Sequence, residues 1–120
     1  MIKKEVNFSI DAWVNINGHN CYNIKHDHPT ANLSGVLWIK CPKECGNIVF
    51  ESPVEFQTYT EIESYTEEFK NFNNYFHTYY FLPTEGRMLL FPSHLQHEVF
   101  ENKSNEDRIS VSFNIYLING

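Results

Sequence analysis

Short apolar stretches that alternate with polar positions, each ended by Gly, Pro or Asn, dominate this chain. Successive side chains on a strand point to opposite faces, so a period of two marks a half-buried strand. The pattern predicts a first strand from about Val6 to Asn17, with Val6, Phe8 and Ile10 on one face, and then a turn at Gly18-His19-Asn20. A central strand runs from Leu33 to Cys41 and is closed by Pro42; a shorter one runs from Gly46 to Glu51 and is closed by Ser52-Pro53. Arg87 to Phe91 forms another, ended by Pro92-Ser93. In the last strand Ile109, Val111, Phe113, Ile115 and Leu117 share one face, and Arg108, Ser110, Ser112, Asn114 and Tyr116 share the other.

The stretch from Val54 to Leu82 is mixed. Ile62, Tyr65, Phe69, Phe72 and Phe76 fall at helical steps, whereas Phe76, Thr78, Tyr80 and Leu82 alternate like a strand. A short helix or irregular excursion followed by a strand fits both, and its aromatics serve either as packing or as a lid over a substrate. Many short strands with turn signals every eight to twelve residues predict a closed or double-sheet all-β architecture, with any ligand pocket in the mouth of the barrel.

Composition narrows this picture. The 120 residues suffice for one domain, spanning 1–120, with a single core. Nine basic against fifteen acidic residues give a net charge of -6, which argues against nucleic acid and anionic lipid as partners. Glu55, Glu61, Glu63, Glu67 and Glu68 argue in the same direction against an anionic polymer as substrate, although a solvated surface is the ordinary reading of such a run. The N-terminus passes directly into the strand pattern without an apolar leader, and no run reaches membrane-spanning length, so a soluble, cytoplasmic protein is expected. Three cysteines, Cys21, Cys41 and Cys45, form no disulfide framework. Cys41 and Cys45 have the spacing of half a zinc site but lack a second thiolate pair.

Two candidate sites emerge. On an extended segment His26 and His28 point to the same side and Asp27 to the other, which is the spacing of a chelate. His97, after a strand and the Pro92-Ser93 turn, is the candidate third ligand, and His94, three residues earlier, is its substitute. Neutral imidazole suits Fe(II), Zn or Cu, so the ligand set does not choose the metal. Arg108 opens an apolar strand with Ser110 on its own face. A guanidinium directed into a barrel needs an anion, and its planar fork matches a carboxylate. A salt bridge to Glu51 or Glu98, or an exposed strand end, would explain Arg108 equally well.

Taken together, His26-Asp27-His28, Leu33-Ser34-Gly35-Val36, Gly46 to Pro53, Glu85 to Ser93, His97 and Arg108 to Asn114 resemble small Fe(II)- and 2-oxoglutarate-dependent oxygenases of phage and marine bacterial genomes, related to the prolyl hydroxylases. Order and spacing agree as well as residue type. The resemblance implies a double-stranded β-helix of the jelly-roll, cupin-like kind. It further implies Fe(II) at His26, His28 and His97, 2-oxoglutarate held by Arg108 and Ser110, and Trp38 near the position of a cofactor-binding tyrosine. The implied reaction couples O2 and 2-oxoglutarate to hydroxylation of a substrate, with release of succinate and CO2, and needs no catalytic side chain beyond the metal ligands. The family's usual triad has a carboxylate where this chain has His28, which leaves two arrangements open: three histidines, or Asp27 swung inward at Pro29. Bracing helices common in the family are absent from this sequence, so a homodimer covering the exposed barrel surface is expected. Two other readings remain: a cupin-like three-histidine dioxygenase that does not use 2-oxoglutarate, and a non-catalytic metal- or ligand-binding barrel.

Overall fold

A computed structural model describes residues 5–53, 65–73 and 77–118. Two four-stranded antiparallel sheets and one short helix make up the described fold, as expected of a jelly roll. The elements are β1 (Asn7–Asn17), β2 (Asn23–His26), β3 (Leu33–Lys40), β4 (Ile48–Glu51), α1 (Glu67–Asn73), β5 (Thr78–Phe81), β6 (Met88–Pro92), β7 (His97–Val99) and β8 (Arg108–Ile118). One sheet has the order β1-β8-β3-β6 and the other β2-β7-β4-β5.

In the larger sheet β8 is central, paired along its length with β1 and on its other side with β3. Its alternation decides which side chains meet the second sheet. Arg108, Ser110 and Asn114 are buried on the inner face, while the apolar set from Ile109 to Leu117 lies outward. Gly35 of β3 allows this pairing, because a Cβ there would strike the Phe113 ring and the Leu89 carbonyl.

The core lies between the sheets. Val36, Trp38 and Phe91 from one sheet meet Ile48 and Phe50 from the other, with Phe81, Leu89, Leu95 and Val99 packed around them. Phe50 and Phe91 meet edge to face at 4.8 Å. Burying a side chain of this size contributes about 1.5–3 kcal/mol, so these five residues supply much of what holds the sheets together.

Four expectations shift in detail. The central strand ends at Lys40, because the Cys41 N–H donates to the Glu85 carboxylate at 3.1 Å instead of to a neighbouring strand. The strand expected from Gly46 begins at Ile48, since Gly46 has a φ of 94° and lies against the Phe100 and Glu101 backbone. β2 and β7, with four and three residues, are too short and polar to show a period; His97 therefore opens a strand where the sequence suggested a turn. The mixed stretch resolves into α1, begun by Thr66, whose hydroxyl accepts the Phe69 N–H at 3.2 Å, and β5. Of the stretch read as packing or lid, residues 54–64 and 74–76, Ile62 and Phe76 among them, lie outside the described residues, while Tyr65, Phe69, Phe72 and Tyr80 are exposed. Glu67 and Glu68 are exposed in the first turn of α1. No helix among the described residues is long and apolar enough to cross a membrane.

Two glycines with positive φ separate backbone strain from close packing. Gly86, at φ 80°, has nothing within 4 Å of a built Cβ, whereas Gly46 has the Phe100 carbonyl there. Gly46→Ala should cost at least ~2 kcal/mol in a urea titration, against about 1 kcal/mol for Gly86→Ala. Equal losses in the two variants would show that the Gly46 contact is not tight.

Candidate metal centre

His26 is the last residue of β2 and His97 the first of β7, and the antiparallel register sets them directly opposite each other. Their ring centroids are 4.3 Å apart. His28 lies just past the end of β2. Its backbone N–H donates to the Ser93 carbonyl at 2.8 Å, and the Ser93 hydroxyl donates to the Ala31 carbonyl. The Pro92-Ser93 turn therefore anchors the loop that carries His28 as well as leading to His97. The His28 ring is 5.0 Å from that of His26 and 5.4 Å from that of His97. One ligand atom from each of the three histidines falls within a 4.8 Å span.

Local hydrogen bonds orient two of these rings. His26 Nδ1 is 2.6 Å from the Ile24 carbonyl and His97 Nδ1 is 3.0 Å from the Leu95 carbonyl, each two residues back. A carbonyl only accepts, so in neutral imidazole Nδ1 carries the proton and Nε2 keeps its lone pair for a metal. The core holds His97 further, since Phe91 and Phe50 lie 4.9 and 5.7 Å from its ring. Burial drives its pKa down to about 4, with the charges of His26 and His28 adding to that shift against the Leu95 hydrogen bond and Asp27. Burial likewise lowers His28. Two of the three imidazoles are thus held in the neutral, metal-binding form.

A cavity of about 540 Å³ extends from the triad to Arg108. Arg108 is 1% exposed. One guanidinium nitrogen, Nη1, donates to the Cys45 carbonyl and to the Phe100 carbonyl at 3.3 Å, while Nη2 is buried without a partner among the described residues. Among the described residues no carboxylate pairs with Arg108; Glu51 is taken by Lys25. Burial works against the charge of Arg108. A buried guanidinium with a free donor pair is a site for an anion. Ser110 lies two residues along the same inner face and also lines the cavity.

Other candidates fall elsewhere. Asp27 and His94 are exposed and outside the histidine cluster. The arrangement with Asp27 swung inward is not the one adopted: His28, with His26 and His97, forms the cluster. Trp38, expected near the cofactor, is 3% exposed in the core with Val36 and Phe91 and is not itself among the residues lining the cavity. Burial raises the Cys41 thiol to about 11 and the Cys45 thiol as well, and no cysteine belongs to a metal cluster among the described residues. The sequence reading missed the polar wall of the cavity. Asn15 Nδ2 donates to Ser112 Oγ at 2.7 Å, and Ser34 Oγ donates to Asn114 Oδ1 at 2.7 Å. The period-two alternation of β8 marked Ser112 and Asn114 as inner-face residues, but their partners became visible only with the strand register.

Residues 11–114 match the model of a protein family described as "Putative 2OG-Fe(II) oxygenase". The chain belongs to the 2OG-Fe(II) oxygenase family. Among solved structures, an oxidoreductase of the 2OG-Fe(II) oxygenase family from Burkholderia pseudomallei superposes with a TM-score of 0.71 at 16% identity, covering 98% of this chain and 48% of that one. A Pseudomonas putida prolyl-4-hydroxylase superposes with a TM-score of 0.63 at 13% identity, covering 89% of this chain and 52% of that one. These likenesses show a shared fold, and the chain spans about half the length of each of these two proteins. No curated protein sequence matches it.

The cofactors of the 2OG-Fe(II) oxygenase family are Fe(II) and 2-oxoglutarate, and the cavity fits both. Three imidazole donors within 4.8 Å suit Fe(II), and the unpartnered Arg108 Nη2 beside Ser110 suits a carboxylate.

The depressed pKa of His97 has a consequence for the metal-free protein. Its folded value, about 4, is below the ordinary ~6.5, so the unfolded chain takes up this proton first. The contribution is fully present above ~6.5 and is lost as pH falls toward 4. Urea midpoints measured at pH ~7.5 and ~5 should fall further in the wild type than in His97→Gln. Parallel decreases would mean that His97 titrates normally.

Proposed function

We propose that this chain is the catalytic domain of a 2-oxoglutarate-dependent Fe(II) dioxygenase that hydroxylates a substrate yet to be identified. His26, His28 and His97 would hold Fe(II), and Arg108 with Ser110 would hold the distal carboxylate of 2-oxoglutarate. The observation that carries this reading is the pairing, in one cavity, of a three-imidazole cluster with a buried arginine whose Nη2 has no partner among the described residues. A structural arginine would have its donors filled by the fold.

When bound, Fe(II) and 2-oxoglutarate would supply, with O2 as oxidant, the oxidative decarboxylation that sends one oxygen atom into succinate beside CO2 and the other into a hydroxyl on the substrate. The residues of the chain bind and orient. The Ile24 and Leu95 carbonyls keep the Nε2 lone pairs of His26 and His97 turned toward the shared site. The Cys45 and Phe100 carbonyls fix one arm of Arg108 and leave the other for the anion. Trp13, whose ring is 6.3 Å from that of His28, and Tyr22 border the cavity where a substrate would meet the metal.

The all-imidazole donor set also favours a second reading, a three-histidine dioxygenase in which Arg108 meets the carboxylate of the substrate itself. One experiment separates the two. Metal-free protein is titrated anaerobically with Fe(II) and then with 2-oxoglutarate, and the weak visible charge-transfer band of a chelated keto acid is followed. The band should form in the wild type and require roughly 10–100-fold more 2-oxoglutarate in Arg108→Ala, with a several-fold effect in the milder Ser110→Ala. His97→Ala should lose bound iron and all succinate formation. Iron binding without the band would favour the second reading, and absence of iron binding would leave a non-catalytic barrel.

A further inference from the structure

The outer face of the larger sheet carries chemistry that the cavity does not use. Because β8 turns its polar side chains inward, register places Phe8, Ile10, Ala12, Val14 and Ile16 of β1 beside Leu117, Ile115, Phe113, Val111 and Ile109 of β8 on the opposite, outward face. β3 and β6 continue that face with Leu33 opposite Pro92, Gly35 opposite Leu90 and Leu37 opposite Met88. Not one of these positions is charged, and none has a side chain that donates or accepts a conventional hydrogen bond. Phe8, Ile10, Val14 and Ile16 are 51 to 65% exposed, and Leu90 and Met88 are 54 and 57% exposed. An ordinary antiparallel sheet packed on one side presents alternating polar residues on the other. Here β8 inverts that polarity, with Arg108, Ser110 and Asn114 inside and its apolar row outside, while β3 and β6 are apolar on both faces around Val36, Trp38 and Phe91.

We infer that this face is the interface of a homodimer, in which the larger sheets of two copies pack face to face. Its size is sufficient. Strands of eleven, eleven, eight and five residues, at about 3.3 Å per residue and about 4.8 Å between neighbours, span roughly 550 Å² in projection. Two such faces together bury about 1,100 Å², above the ~1,000 Å² that a specific interface should clear, and each lies at the upper end of the ~300–600 Å² patches that monomers expose. A face without charges or hydrogen-bonding side chains offers little to specify a foreign partner. A second copy presents the same surface at equal concentration, and aligned sheets stack at a shallow angle about a two-fold axis, as in a sandwich. Arg108 lies on the inner side of this sheet and the triad on the facing smaller sheet and its loop, so both remain open in each copy.

Sedimentation velocity at tens of micromolar tests this. The wild type should sediment at twice the monomer mass. The double variant Ile10→Lys, Val14→Lys should be monomeric with an unchanged far-UV spectrum, and Ile24→Lys, on an exposed position of the other sheet, should remain dimeric. In case two lysines prevent folding, Val14→Thr with Ile16→Thr keeps β-branched residues on the strand, and the dissociation constant should rise tenfold or more. A wild-type monomer, or a dimer indifferent to the β1 substitutions, overturns the proposal. The outcome is independent of whether iron or 2-oxoglutarate binds.

Discussion

The placement of Arg108 constrains much of this structure. A guanidinium this deeply buried is costly unless its donors are met, and the fold meets only part of the cost: the Cys45 and Phe100 carbonyls accept from one nitrogen, and the other is left open. Supplying those carbonyls shapes the neighbouring chain. Gly46 takes a left-handed conformation so that its backbone can lie against Phe100. Asn102, wholly buried, ties the segment before β8 to the end of β1 by donating to the Asn17 and Glu106 carbonyls. The inward direction of Arg108 also sets the alternation of β8, which puts Ser110, Ser112 and Asn114 inside and an apolar row outside.

At the other end of the cavity the same economy holds. His26 and His97 meet because two short strands are in register, and His28 joins them because the Pro92-Ser93 turn holds its backbone. Core packing and ligand orientation are not separable there: Phe50 and Phe91 belong to the hydrophobic core and also bracket His97.

Long strands were legible in the sequence because their alternation extends over eight to eleven residues, enough for the period to show. β2 and β7 were not, since four and three residues carry no measurable period, yet these two strands bring His26 and His97 together. The spacing of His26 and His28 pointed to a chelate without revealing the Ser93 anchor, which depends on a contact between distant segments. Trp38 marks the opposite case. Its place near a cofactor-binding position was carried by likeness alone, whereas its apolar neighbours Val36 and Ile48 draw it into the core. Asp27 and His28 could not be ranked by sequence, because either can face a metal; the turn at Pro29 leaves the aspartate in solvent.

The β2–β7 ladder is thin, with Asn23 opposite Val99 and His26 opposite His97 separated by an irregularity. Few backbone bonds hold this edge of the smaller sheet to the rest. An ion shared by His26, His28 and His97 would act there as a cross-link between positions far apart in the chain, and because the unfolded chain does not assemble these donors, its binding energy would add to the stability of the fold. The donor cluster then has a mechanical role: loading the site and fastening β2 to β7 are the same event.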